Sequence, residues 1–187
     1  MANLNLNGNV SKNEEALEVA YKDLITFGKL FSPQDFLASA TPNFHREVGK
    51  LLLDREKQQL ALVMPRDHAK STLAACAVLH RFLFASKETP EFVAWIGEAQ
   101  DQARDNLGWI QNHIYSNPAI HYYFGDLEGD KWTKDEFTLK NGCRMIGKGT
   151  SQRLRGKRQY STRYTGIILD DFESELNTKT PDSRRQI

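Results

Sequence analysis

The chain has 187 residues, 40% of them hydrophobic and 26% charged, with a formal net charge of +1. That is enough chain for one domain with a real core, and the near-neutral balance excludes a whole-molecule field that would draw in nucleic acid, leaving only local charge clusters to do so. Two widely separated cysteines, Cys76 and Cys143, form no CxxC pair and argue against a structural zinc site or a disulfide framework.

Residues 1–10 are Asn-rich and read as a tail. The N-terminus lacks the basic and apolar regions of a secretory signal, and no stretch approaches the ~18 apolar residues of a membrane span. Ser11 with Glu14 makes a capping-box pattern that predicts a helix to about Phe27, with Leu17, Ala20, Tyr21, Leu24 and Ile25 at helical spacing. Thr41-Pro42 predicts a second helix, with Thr41 as cap, that carries Phe44, Val48, Leu51 and Leu52 and ends near Arg55. Residues 58–64 (QQLALVM) are an apolar run of strand length, followed by a polar turn and a predicted helix over 70–84. Residues 92–96 predict another strand, followed by a helix from Glu98 to about Tyr115. Strand, helix, strand, helix predicts βαβ units and a parallel sheet. Residues 132–139 and 143–146, on either side of Lys140-Asn141-Gly142, predict a hairpin with an Asn-Gly turn. Residues 164–169 (YTGIIL) are almost wholly apolar and predict a central strand.

Three segments carry chemistry. The first is residues 64–72, MPRDHAKST, between a predicted strand and a predicted helix. That is the context of a phosphate-binding loop, in which backbone N–H groups and a helix N-terminus cradle a polyanion. A lysine reaches the terminal phosphates and a hydroxyl ligates Mg²⁺; Lys70 and Ser71 stand at those positions. The pattern GxxxxGK[ST] is not met, because Met64 and Ala69 occupy its glycine positions. Ala69 is small enough for close backbone approach but poorly suited to the positive φ that glycine supplies. Read alone, Lys-Ser after a strand also fits a plain surface turn before a helix.

The second segment, residues 166–173 (GIILDDFE), ends an apolar strand in consecutive carboxylates. One carboxylate in such an arrangement serves the metal and another orients and deprotonates a water. Asp170 takes the metal side, and Asp171 or Glu173 the catalytic base. Two adjacent carboxylates at a strand end repel unless a cation stands near. The third segment lies between Phe137 and Leu169, a stretch with no Asp or Glu and eight basic residues: Lys140, Arg144, Lys148, Arg153, Arg155, Lys157, Arg158 and Arg163. Arginine's planar fork suits phosphate oxygens, of a nucleotide or of a DNA backbone. The five histidines show no metal-ligand spacing, and Trp95, Trp109, Tyr122, Tyr123 and Phe124 read as core.

Together these segments resemble the ATPase domain of phage terminase large subunits. Residues 65–72 (PRDHAKST) are similar to that family's deviant P-loop, residues 154–158 (LRGKR) to its LRGxR segment, and residues 167–173 (IILDDFE) to its acidic strand. The strand and helix over 92–110, with EAQDQA at 98–103, also resemble their counterpart there. The resemblance runs from about Phe44 to Asp182. It implies an α/β fold of the ASCE-type P-loop NTPase class, a three-layer sandwich with a mostly parallel central sheet preceded by N-terminal helices. It divides the chain into a tail and helix over 1–40 and an ATPase domain over 41–187, stopping before the coupling segment and without the nuclease domain. It implies ATP hydrolysis that drives double-stranded DNA into a procapsid, with ATP and Mg²⁺ bound. Arg66, Asp67, His68, Ala69, Lys70, Ser71 and Thr72 would hold the nucleotide, and Ser71 and Asp170 the metal. Asp171 or Glu173 would be the base, and Arg155 or Arg158 an arginine finger acting in cis or in trans. His45 or Phe44 is the candidate for the adenine. The implied partners are DNA, a portal protein, a small terminase subunit and further copies in a ring, with no membrane, in a bacteriophage host's cytoplasm. Other P-loop ATPases of helicase-like type, or a nucleotide- or DNA-binding fragment without turnover, fit the same motifs.

Overall fold

The computed structural model of the protein describes residues 12–150 and 163–171. The chain divides into two compact units, Met1–Thr89 with His113–Asp126, and Pro90–Asn112 with Leu127–Ile187. The whole is an α/β protein with helices and one five-stranded mixed sheet among the described residues.

The first unit is helical. It contains α1 (Lys12–Lys22), α2 (Leu24–Phe31), α3 (Pro33–Phe36), α4 (Asn43–Leu53) and α5 (Lys70–Leu83), then the end of α6 (Gln100–Ser116) and α7 (Pro118–Phe124). The single helix expected up to Phe27 is two. Asp23 adopts an extended backbone at φ −133° and its carboxylate accepts from Thr26 N at 2.7 Å, so it ends α1 and caps α2. The expected cap Ser11 lies outside the described residues. The helix expected from Thr41-Pro42 starts one residue later, with Pro42 as an N-cap that offers no side-chain bond. Leu24, Ile25, Phe27, Phe31, Leu73, Leu79 and Phe82 are fully buried and make the core. α5 is buried on nearly every side, so its N-terminus stands on a rigid base. His80 on α5 reaches Tyr21 O at 2.9 Å and ties α5 to α1.

The second unit holds β1 (Phe92–Gly97), most of α6, β2 (Glu128–Trp132), β3 (Glu136–Leu139), β4 (Arg144–Gly149) and β5 (Gly166–Asp170), in the sheet order β2-β3-β4-β1-β5. β1 is buried throughout and runs parallel to both β4 and β5. β2 and β3, and β3 and β4, are antiparallel. The expectation of a mostly parallel sheet is therefore corrected: half of the neighbouring pairs are antiparallel, because the β3–β4 hairpin brings its own strand direction into the sheet. In that hairpin Gly142 N donates to Leu139 O at 2.9 Å and Gly142 takes φ 88°. Asn141 is not left-handed, so the turn is not a two-residue type I′ turn; glycine supplies the positive φ one residue later. α6 covers one face of the sheet, with Ala103 and Leu107 against Gly147. Arg104 on α6 binds Asp135 before β3 at 2.7 Å.

Two strand expectations also change. Residues 58–64 form no strand, since no described segment pairs with them, and Val63 is 95% exposed. Residues 166–170 do form β5, but among the described residues it pairs with β1 alone, and Ile167 and Leu169 are each 54% exposed. An apolar run shows that a strand forms, not how many neighbours it has.

Candidate functional site

The loop of residues 64–69 leads directly into the 14-residue helix α5. Ala69 is the helix N-cap and takes φ 57°, ψ 28°, the left-handed conformation. This is the second glycine position of the phosphate-loop pattern, and an alanine adopts there the backbone that glycine normally supplies. Left-handed backbone costs a residue with a Cβ roughly 1–2 kcal/mol. Asp67 takes φ 62° in the same loop. Lys70 folds back over the loop, and its Nζ donates to Met64 O at 2.9 Å and Pro65 O at 2.8 Å. The first turn of α5 contains no carboxylate, so nothing there opposes an anion at the positive end of the helix. Arg66, Asp67, His68 and Ala69 are exposed; Lys70, Ser71 and Thr72 are half-buried in the first turn.

Beside the loop lies a cavity of about 170 Å³. Asp67, Ala69 and Thr72 form one side, and Thr41, Pro42 and His45 contribute to the other. His45 thus stands next to the loop of residues 64–69, whereas Phe44, the other adenine candidate, does not line the cavity. Asp35 and Ser39 also line it. Nothing in the sequence singled them out, because they reach the loop only through the path of α3 and the turn after it.

In the second unit, Asp170 closes β5 and is in register with Gly97 of β1, which is in register with Gly149 of β4. All three lie at the carboxyl ends of parallel strands, where open α/β sheets bind their ligands. Glycine is required at 149: a Cβ there would stand 2.9 Å from Gln100 N at the start of α6. Asp171 follows at φ 45°, again left-handed, and is exposed while Asp170 is half-buried. Asp67, Ala69 and Asp171 are the described non-glycine residues with positive φ. All three fall inside the two motifs picked out from sequence. Such strain persists only where the surrounding structure imposes it, and it concentrates at functional sites.

The loop of residues 64–69 belongs to the first unit and Asp170 and Asp171 to the second. Arg155, Arg158 and Glu173 lie outside the described residues. Ser71 and Asp170 offer hard oxygen donors suited to Mg²⁺. Among the described residues there is no cluster of three or more His, Cys, Asp or Glu that could hold a metal by itself. A magnesium ion taken with a nucleotide uses phosphate oxygens and water for its remaining ligands and does not require such a cluster. Among the described residues no helix is long and apolar enough to cross a membrane. The chain matches no model of a known protein family, and no curated protein matches it significantly.

Proposed function

We propose that this chain binds Mg-ATP at residues 66–72 and hydrolyses it, as the ATPase domain of a phage terminase large subunit of ASCE-type P-loop fold. The observation that carries the reading is the coincidence of left-handed backbone with both motifs, above all at Ala69 in the second glycine position. A turn that merely preceded a helix would have no reason to hold an alanine there.

In this reading the N–H groups at the start of α5 receive phosphate oxygens. Lys70 leaves the Met64 and Pro65 carbonyls and neutralises the terminal phosphates. Ser71 and Asp170 are the residues that would hold Mg²⁺, which would neutralise charge on the phosphates. Asp171 or Glu173 accepts a proton from water as its oxygen bonds to the γ-phosphorus. The bond from that phosphorus to the bridging oxygen breaks, and ADP leaves. Arg155 or Arg158 stabilises the γ-phosphate charge. The rest of the basic stretch takes DNA backbone, apart from Arg144, whose guanidinium is paired with Glu136 and lies 4.7 Å from the Phe92 ring centroid. The partners that follow are double-stranded DNA, a portal protein, a small terminase subunit and further copies of the chain on a capsid in a host cytoplasm.

Steady-state hydrolysis of Mg-ATP tests the chemistry. We expect Asp171→Asn to abolish turnover and Glu173→Gln to retain it. The reverse result transfers the base to Glu173. Turnover that survives both substitutions, or is absent from the unsubstituted chain, contradicts the ATPase reading.

A further inference from the structure

The carbonyls of Met64, Pro65, Arg66 and His68 in the loop are held by side chains. Lys70 takes those of Met64 and Pro65. His68 Nδ1 lies 2.8 Å from Arg66 O, within the loop. The remaining bond comes from elsewhere: His45 on α4 places Nε2 3.1 Å from His68 O. Both acceptors are carbonyls, so His45 Nε2 and His68 Nδ1 carry the protons and donate.

The carbonyl that His45 holds belongs to the peptide joining His68 to Ala69. The orientation of that peptide plane defines φ of Ala69, the strained angle of 57°. The His45 ring is itself braced. Its centroid lies 4.4 Å from that of Phe44, and Phe44 lies 5.8 Å from the His68 ring. α4 therefore delivers a fixed donor to the one peptide in the loop that an alanine would otherwise relax.

We propose that His45 is a positioning residue for the phosphate loop, holding the His68–Ala69 peptide in the orientation that turns the N-terminus of α5 toward phosphate. This rests on the Mg-ATP reading above. Without the bond, the left-handed Ala69 relaxes toward ordinary backbone and the N–H groups diverge. The effect passes through the loop alone, so it does not depend on whether the ligand carries a nucleoside.

Equilibrium titration of Mg-ATP and of Mg-tripolyphosphate into the whole chain tests this. The unsubstituted protein is titrated beside His45→Ala, His45→Gln, Ala69→Gly and the double variant His45→Ala with Ala69→Gly. Circular dichroism verifies that each is folded. His45→Ala is expected to weaken both ligands by roughly tenfold, the scale of one lost positioning hydrogen bond. His45→Gln, whose amide nitrogen reaches the same place, is expected to restore most of that. Glycine tolerates φ 57° without help, so in the Ala69→Gly background the same His45→Ala change is expected to cost less than about threefold, a coupling that independent sites would not show. An unsubstituted chain that binds neither ligand overturns the Mg-ATP reading and this inference with it. Binding by the unsubstituted chain with no loss in His45→Ala overturns the inference alone. So does a loss confined to Mg-ATP, which would place His45 on the nucleoside, or an undiminished loss in the glycine background.

Discussion

Ala69 adopts a conformation its side chain opposes, and the surrounding residues explain how it is kept there. Lys70 and His45 bind carbonyls of the loop that precedes it, at Met64, Pro65 and His68, and α5 behind it is buried. Ala69→Gly should therefore stabilise the fold by roughly 1 kcal/mol, since glycine loses the Cβ penalty of the left-handed region. Urea unfolding checks this, and a lower midpoint would contradict it. His80 gives a second prediction at this scale. Burial lowers its pKa from the ordinary 6.5 to about 4, against the opposing effect of its bond to Tyr21 O. The unfolded chain takes up the proton first as pH falls, so the stability from neutral His80 is present above about 6.5 and lost as pH falls toward 4. The loss is on the order of 3 kcal/mol. His80→Phe should flatten this part of the stability-pH curve, and an unchanged slope would show that another group titrates. The motif residues Lys70, Ser71 and Asp170 were legible in the sequence by type and spacing. The left-handed φ of Ala69 was not, because the Cβ of an alanine disfavours it. The bond from His45 was not legible either: 23 residues separate it from His68, and only the packing of α4 beside the loop brings them together.

At the scale of elements, α5, β1, α6 and the β3–β4 hairpin follow from periodicity, length and turn residues, and the structure differs from those readings mainly at their ends. The break at Asp23 escaped because an aspartate inside a helical pattern competes with the helix only when its carboxylate finds the N–H three residues on, as it does at Thr26. Residues 58–64 and 166–170 look alike as apolar runs, yet the second forms a strand and the first does not. Pairing is a property of neighbours, and neighbours are set by the whole topology. The carboxyl end of the parallel strands depends on glycine at 149, where a Cβ would meet backbone that cannot move aside cheaply. Gly149→Ala should destabilise by roughly 1–3 kcal/mol through overpacking of β4 against the start of α6. Thermal unfolding checks this, and an unchanged midpoint would contradict the close approach.

For the whole molecule, a net charge of +1 supplies no long-range field toward DNA, so on the proposed function DNA contact falls to the basic stretch between Phe137 and Leu169. Binding of double-stranded DNA should then weaken steeply between about 50 and 200 mM salt with little dependence on sequence. Salt-insensitive binding would remove DNA backbone from the ligands of that stretch. The α/β class was legible from the alternation of apolar runs and helical patterns. The mixed sheet was not, since the directions of β2 and β3 are decided by hairpins rather than by composition. The division into two units was not legible either, because the helical first unit draws on the end of α6 and on α7, both far along the chain. On the proposed function, residues 64–72 grip phosphate despite lacking both glycines of the pattern. Calorimetric titration of Mg-ATP into the unsubstituted chain and into Lys70→Ala tests it most directly. Saturable binding that is lost on substitution is the expected result; equal affinity in the two proteins, or no binding by either, overturns the phosphate-loop proposal.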